Sequence, residues 1–148
     1  MARTRRHATC VAIRCGRSWR AALLRGPSGA GKSDLALRLI EAGARLVADD
    51  QTELARRGSA VIATAPARLA GLIEVRGVGI VRLGRGRLIG RAPVALLVDL
   101  VPPEHIERLP DPATEGLLGV NLPVLMLTPF EASAVAKLRI ALTRAADA

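Results

Sequence analysis

An α/β fold with a mixed β-sheet is what the sequence predicts, and three observations predict it. Short apolar runs, about four to eight residues long and bounded by turn residues, recur in the manner of buried strands. One glycine-rich loop joins such a run to a helical pattern. The closing stretch, "PFEASAVAKLRIALTRAADA", sets Ala132, Val135, Leu138 and Leu142 at helical spacing. With 148 residues, half of them apolar, one domain spanning 1–148 around one core is expected. One Phe, one Trp and no Tyr leave Leu, Val, Ile and Ala to build that core.

The elements follow in order. "HATCVAIR" reads as a strand, "CGRS" as a turn and "RAALLR" as the return strand that delivers the chain into Gly26. "KSDLALRLIEAG" puts Leu35, Leu39 and Ile40 near one face, with Gly43 as the stop, so a helix of about three turns is predicted. "RLVADD" is a buried strand ending on two acids, expected beside the strand that feeds the glycine loop. "QTELARRGSAVIAT" predicts a hairpin turning at Arg57-Gly58. In "LIEVRGVGIVRL" glycines interrupt a strand pattern. "VALLVDL" and "LPVLMLT" are further buried strands, separated by the proline-rich polar loop "VPPEHIERLPDPATEG". Pro129 is placed to begin the last helix.

Composition also bounds the partners. A net charge of +9 suits nucleic acid, but the arginines are scattered and aromatic stacking platforms are scarce, so no nucleic-acid partner is expected. The one dense run, Arg3, Arg5 and Arg6, falls in an expected frayed N-terminus. The alternatives for the basic surface are a solvated face and a docking face for an acidic partner. No apolar run is long enough for a membrane helix and no secretory pattern opens the chain, which predicts a cytoplasmic protein without a membrane partner. Cys10 and Cys15 point to opposite faces of one strand, so neither a disulfide nor a zinc site is expected.

The strongest local motif is "GPSGAGKS", comprising Gly26, Pro27, Ser28, Gly29, Ala30, Gly31, Lys32 and Ser33. It fits G-x-x-x-x-G-K-[ST], whose backbone N–H groups surround phosphate oxygens while the lysine reaches the terminal phosphates and the hydroxyl ligates Mg²⁺. The helix N-terminus adds its partial positive charge to the same anion site. Asp49 and Asp50 follow, at a strand end where such proteins hold a metal or orient a nucleophile. Alternation sends their side chains to opposite sides, so one faces the γ-phosphate and the other serves Mg²⁺ or the scaffold. Glu74 stands alone among apolar and basic residues, as either a surface residue or a buried ligand for a cation.

"HATCVAI", "GPSGAGKSDLALRLI", "LVADDQ", "LIEVRGVGIV" and "ERLP", in this order and spacing, resemble the catalytic domain of HPr kinase/phosphorylase, in the short form found in alphaproteobacteria. The resemblance implies an α/β P-loop kinase domain with a mixed β-sheet, similar to the phosphoenolpyruvate carboxykinase-like fold. It implies transfer from ATP, with Mg²⁺, to a serine of an HPr-like phosphocarrier protein, by a homo-oligomer that regulates a phosphotransferase system. By the same resemblance Gly26 to Ser33 would hold the ATP phosphates, Lys32 would stabilise the transferred group, and Ser33, Glu74 and Asp49 would serve the metal. Asp50 would accept the serine proton, His7 would be the active-site histidine, and Arg108 would assist transfer, its alternative being a surface arginine in a loop.

One segment departs from the family. Longer members carry "P-V-x-P-G-R-N" near the C-terminus, which contributes to phosphorolysis, and here the corresponding place reads "LPVLMLTPFEAS". The reverse reaction, phosphate-dependent dephosphorylation, is therefore expected to be weak. A small-molecule P-loop kinase and a nucleotide-binding regulator without transfer activity are the rival readings.

Overall fold

The computed structural model describes residues 2–147. The chain forms β1 (Arg3–His7), β2 (Thr9–Cys15) and β3 (Ser18–Arg25), then α1 (Lys32–Glu41). It continues through β4 (Arg45–Ala48), β5 (Gln51–Arg57), β6 (Ala60–Thr64), β7 (Leu72–Val75) and β8 (Gly79–Arg82). The long β9 (Arg91–Leu100) precedes β10 (Ala113–Leu117), β11 (Val120–Leu127) and α2 (Ala134–Ala146). This is the mixed α/β architecture the sequence predicts.

Alternation along the central strands divides the core in two. Val11 and Ile13 of β2, with Ala22 and Leu24 of β3, point towards α1 and α2, where Leu35, Leu39, Ile40, Leu138 and Leu142 meet them. Cys10, Ala12, Ala21 and Leu23 point the other way, onto Leu54 of β5 and Val61 and Ala63 of β6. The sheet thus curls over itself, with the helices on one face and its own outer strands on the other. Cys10 and Cys15 pack against different halves, as their spacing predicts, and both are free thiols.

Two corners carry the chain between the layers, one at Ala8 between β1 and β2, the other at Asp49-Asp50 between β4 and β5. The antiparallel register of β1 and β5 sets His7 opposite Gln51, so the corners coincide in space. A third link is β9, whose first residues pair antiparallel with β6 while Leu97–Leu100 pair parallel with β11. Its other edge pairs in parallel with β3. β7 and β8 form a separate two-stranded ribbon.

Five expectations are corrected. Arg3, Arg5 and Arg6 are not frayed but lie in β1, held by main-chain pairing to β5 rather than by apolar side chains. The "HATCVAIR" strand accordingly begins at Thr9, and His7 belongs to the preceding strand. The strand leading into Asp49 does not flank the P-loop strand, because β2 lies between them and β9 takes the other edge of β3. The last four residues of the proline-rich loop, Ala113 to Gly116, belong to strand β10, which pairs with β11 although four of its five residues are exposed. The last helix starts after Ser133 instead of at Pro129, since Arg38 takes the Pro129 carbonyl that a helical turn would need.

Candidate active site

β3 leads directly into the glycine loop and α1 leaves it, the strand–loop–helix context that an anion-binding N-terminus requires. Gly29 and Gly31 have φ of 84° and 101°, in the left-handed region that a residue with a Cβ adopts at a cost. The first helical bond runs from the Leu35 N–H to the Gly31 carbonyl at 2.9 Å. The amides of Lys32, Ser33 and Asp34 precede it and are free of helical partners. Lys32 is 7% exposed, its ammonium donating to the carbonyls of Gly26 at 2.6 Å and Pro27 at 3.0 Å.

The two aspartates part company at the β4–β5 corner. Asp49 is 6% exposed and accepts from the Ser33 hydroxyl at 2.6 Å, the Thr9 hydroxyl at 2.9 Å and the Glu74 amide at 2.9 Å. Asp50 has φ of 68° and turns its side chain to solvent, so a left-handed kink, not strand alternation, separates the pair. Its amide donates to the Thr9 hydroxyl at 3.2 Å. His7 Nδ1 stands 3.3 Å from Asp50 Oδ1 across the coincident corners.

These groups converge on a cleft of about 480 Å³. Ser28, Gly29, Gly31, Lys32 and Ser33 line it from the loop, His7 and Asp50 from the corners, and Glu74 from the β7–β8 ribbon. Of the residues singled out in the sequence, Arg108 is not among those lining the cleft; it sits in an exposed bend after β9. Six lining residues escaped the sequence reading: Asp34, Leu37, Val75 and three others. Thr9 lies within "HATCVAI" and Arg76 within "LIEVRGVGIV", two motifs quoted for the resemblance without a role for either residue, and Phe130 reaches the cleft from the turn after β11. Membership of those motifs is the signal that Thr9 and Arg76 carried; Phe130, two residues past the expected strand, had only its position.

The donor set suits Mg²⁺. Ser33 gives its proton to Asp49, which leaves its oxygen lone pairs for a cation, and the Glu74 carboxylate faces the same cleft. No group of three or more His, Cys, Asp or Glu clusters for metal binding among the described residues. Mg²⁺ commonly takes one or two protein carboxylates, with water and substrate phosphate completing its shell. Asp49 is not among the residues lining the cleft and lies behind these donors, accepting from the Ser33 hydroxyl and the Glu74 amide.

Behind the loop, Arg25 binds Asp99 through Nε at 2.7 Å and Nη2 at 3.1 Å, and Glu115 through Nη2 at 3.0 Å. The bond to Arg25 holds the Glu115 carboxyl below its usual range, and the two carboxylates push the guanidinium pKa up against its partial burial. The network clamps the β10–β11 hairpin to the strand that feeds the P-loop. Burial pushes the Cys10 thiol well up, as it does Cys15 to a lesser degree, so neither suits a nucleophile. No helix among the described residues is long and apolar enough to cross a membrane.

Comparison with known proteins gives consistent matches. The family described as HPr Serine kinase C-terminal domain matches residues 2–141. An HPr kinase/phosphorylase of Limosilactobacillus reuteri is 38% identical over 110 residues, 68% of this chain and 34% of that protein. One from Bordetella pertussis is 40% identical over 114 residues, 71% of this chain and 37% of that protein. The chain thus spans about a third of the length of these curated relatives. The solved structure of the Hpr(Ser) kinase/phosphatase from Coxiella burnetii superposes with a TM-score of 0.79 at 29% identity, covering 97% of this chain and 90% of that one.

Proposed function

Because the chain belongs to the HPr Serine kinase C-terminal domain family, we propose that it is a P-loop kinase transferring the γ-phosphoryl group of ATP to a serine of an HPr-like phosphocarrier protein. The observation that carries the reading is the meeting of Asp50 and His7 with the P-loop in one cleft. On this reading the whole chain, 1–148, is one catalytic domain acting in the cytoplasm. Assembly into a homo-oligomer belongs to the same proposal.

The loop amides and the N-terminus of α1 hold the phosphates and fix their direction. Lys32 leaves the carbonyls of Gly26 and Pro27 to meet the charge that develops on the γ-phosphoryl oxygens. Ser33 and Glu74 would hold Mg²⁺, which when bound neutralises charge on the β- and γ-oxygens. Asp49 keeps Ser33 in the rotamer that presents its oxygen, and Thr9 supports both aspartates. The acceptor serine oxygen forms its bond to phosphorus as the bond to the bridging oxygen breaks and ADP leaves. The serine proton passes to Asp50, whose carboxylate His7 orients. Arg108 assists from outside the described cleft, brought in with the protein acceptor.

The direct test incubates the protein with γ-labelled ATP, Mg²⁺ and purified HPr. Label on a serine of HPr is expected; label confined to released phosphate would reduce the protein to a nucleotide-binding regulator, and label on a small molecule would move it to that class of kinase.

A further inference from the structure

We propose that Phe130 is the platform on which the base of the nucleoside triphosphate stacks, which rests on the kinase reading above and extends it to the other end of the donor. The chain has one Phe, one Trp and no Tyr. Trp19 lies in β3 with the Arg45 guanidinium 4.7 Å from its ring centre. Phe130 alone of the two lines the cleft, and it is 69% exposed there. A phenyl ring left so open gains nothing from the core, yet its mount is fixed. Thr128 and Pro129 before it are buried, and Arg38 of α1 donates to the Pro129 carbonyl. A Cβ on Gly31 would stand 2.8 Å from the ring's Cζ, so the glycine that opens α1 also makes room for the ring.

Its position around α1 identifies the occupant. Gly31, Asp34 and Arg38 face the Phe130 turn at i, i+3 and i+7, since Asp34 pairs with Arg38 at 3.0 Å. Ser33 instead donates to Asp49, whose other oxygen accepts from the Glu74 amide. Two residues amount to about 200° around a helix, so ring and metal-side groups flank opposite sides of one N-terminus. A triphosphate seated on the amides between them, with its reacting end at Ser33 and Asp50, carries its nucleoside towards Phe130. The strand order agrees: β3, β9 and β11 run parallel, and the P-loop and the Phe130 turn both leave from carboxyl ends, where ligands of open α/β sheets bind. Every base has a π-face, so stacking alone favours nucleotides over bare polyphosphate without choosing strongly among bases.

The test compares the affinities of Mg-ATP and Mg-tripolyphosphate for the native protein, Phe130→Ala and Phe130→Trp. We expect Phe130→Ala to weaken ATP about ten- to a hundredfold and to leave tripolyphosphate unchanged, so that the nucleoside's advantage disappears. Phe130→Trp should restore it, with indole fluorescence quenched on ATP but not on tripolyphosphate. Equal losses for both ligands would mean a structural role at the P-loop and overturn the proposal. So would unchanged ATP affinity with a raised KM for HPr, which would make the ring a protein contact. If the native protein bound ATP but phosphorylated no HPr, the acceptor assignment would fail while the platform stood; if it bound neither ligand, both would fall.

Discussion

The Ser33 hydroxyl and the Asp49 carboxylate meet at 2.6 Å, joining the first turn of α1 to the corner between β4 and β5. Asp49 also accepts from Thr9 and the Glu74 amide, so three elements lose an anchor if it is removed. Asp49→Ala should destabilise the fold by about 2–4 kcal/mol, the scale of leaving buried donors without a charged acceptor, and weaken Mg-ATP. Urea unfolding of the variant beside the native protein checks this; an unchanged midpoint would sink it.

Asp50 should behave in the opposite way. It is solvent-facing, and its left-handed φ of 68° is one that asparagine tolerates. Asp50→Asn is expected to keep the native unfolding midpoint and Mg-ATP affinity while turnover drops by about two to four orders of magnitude. A variant with near-native turnover would remove Asp50 as the proton acceptor.

Lys32→Ala should abolish transfer, because the developing charge on the γ-phosphoryl loses its fixed cation. The same change frees the Gly26 and Pro27 carbonyls that the ammonium now satisfies, so some loss of stability should accompany it. Single-turnover labelling, with circular dichroism to confirm folding, separates the two effects; native turnover would take the P-loop out of the mechanism.

The clamp of Arg25 on Glu115 predicts a pH dependence. Arg25 lowers the Glu115 pKa from its ordinary 4.5 in the folded protein, so the pair's contribution is present above that value. It is lost as pH falls through the lower folded value. Because Glu115 is largely exposed, Glu115→Gln should cost about 1 kcal/mol or less at neutral pH. The difference from native should vanish in acid, below the folded pKa. Melting curves of both proteins across that range decide it, and a gap that widens on acidification would contradict the clamp.

Reverse phosphorolysis should be slow relative to the forward reaction. Inorganic phosphate must stand where the γ-phosphate stood, without the nucleotide tether, and a misplaced attacking group forfeits much of the advantage of proximity. In the segment "LPVLMLTPFEAS", which the resemblance sets against the family's "P-V-x-P-G-R-N", the Thr128-Pro129-Phe130 turn brings no cation. Incubating phosphoserine-HPr with the protein, Mg²⁺ and excess phosphate, and following pyrophosphate, gives the rate. Release as fast as ATP-driven phosphorylation would overturn this expectation.

The helix α1, the β2–β3 hairpin and the P-loop were legible because each is written locally, in turn residues, apolar spacing and glycines of positive φ. What the sequence hid is long-range. β1 and β10 exist through main-chain pairing with β5 and β11, and their side chains are mostly exposed, so no apolar pattern announces them. Thr9 matters because Asp49 and Asp50 fold against it from forty residues away. The position of β4 depended on which neighbour each strand of the sheet would choose, something alternation within one strand does not state.

The sharing of β9 between layers has a dynamic consequence. A strand that pairs with β6 at one end, β11 at the other and β3 along its far edge cannot release one layer and keep the rest. The nine-stranded sheet should open as one cooperative unit. The β7–β8 ribbon is the part outside that bargain: it has its own two-strand ladder, leans on α1, and exposes Val78 and Ile80 at its tip. Its local opening free energy can lie far below the global one. Local opening of the segment that carries Glu74 and Arg76 must therefore break the Glu74–Asp49 bond and free buried Ile73, but need not disturb the nine-stranded sheet.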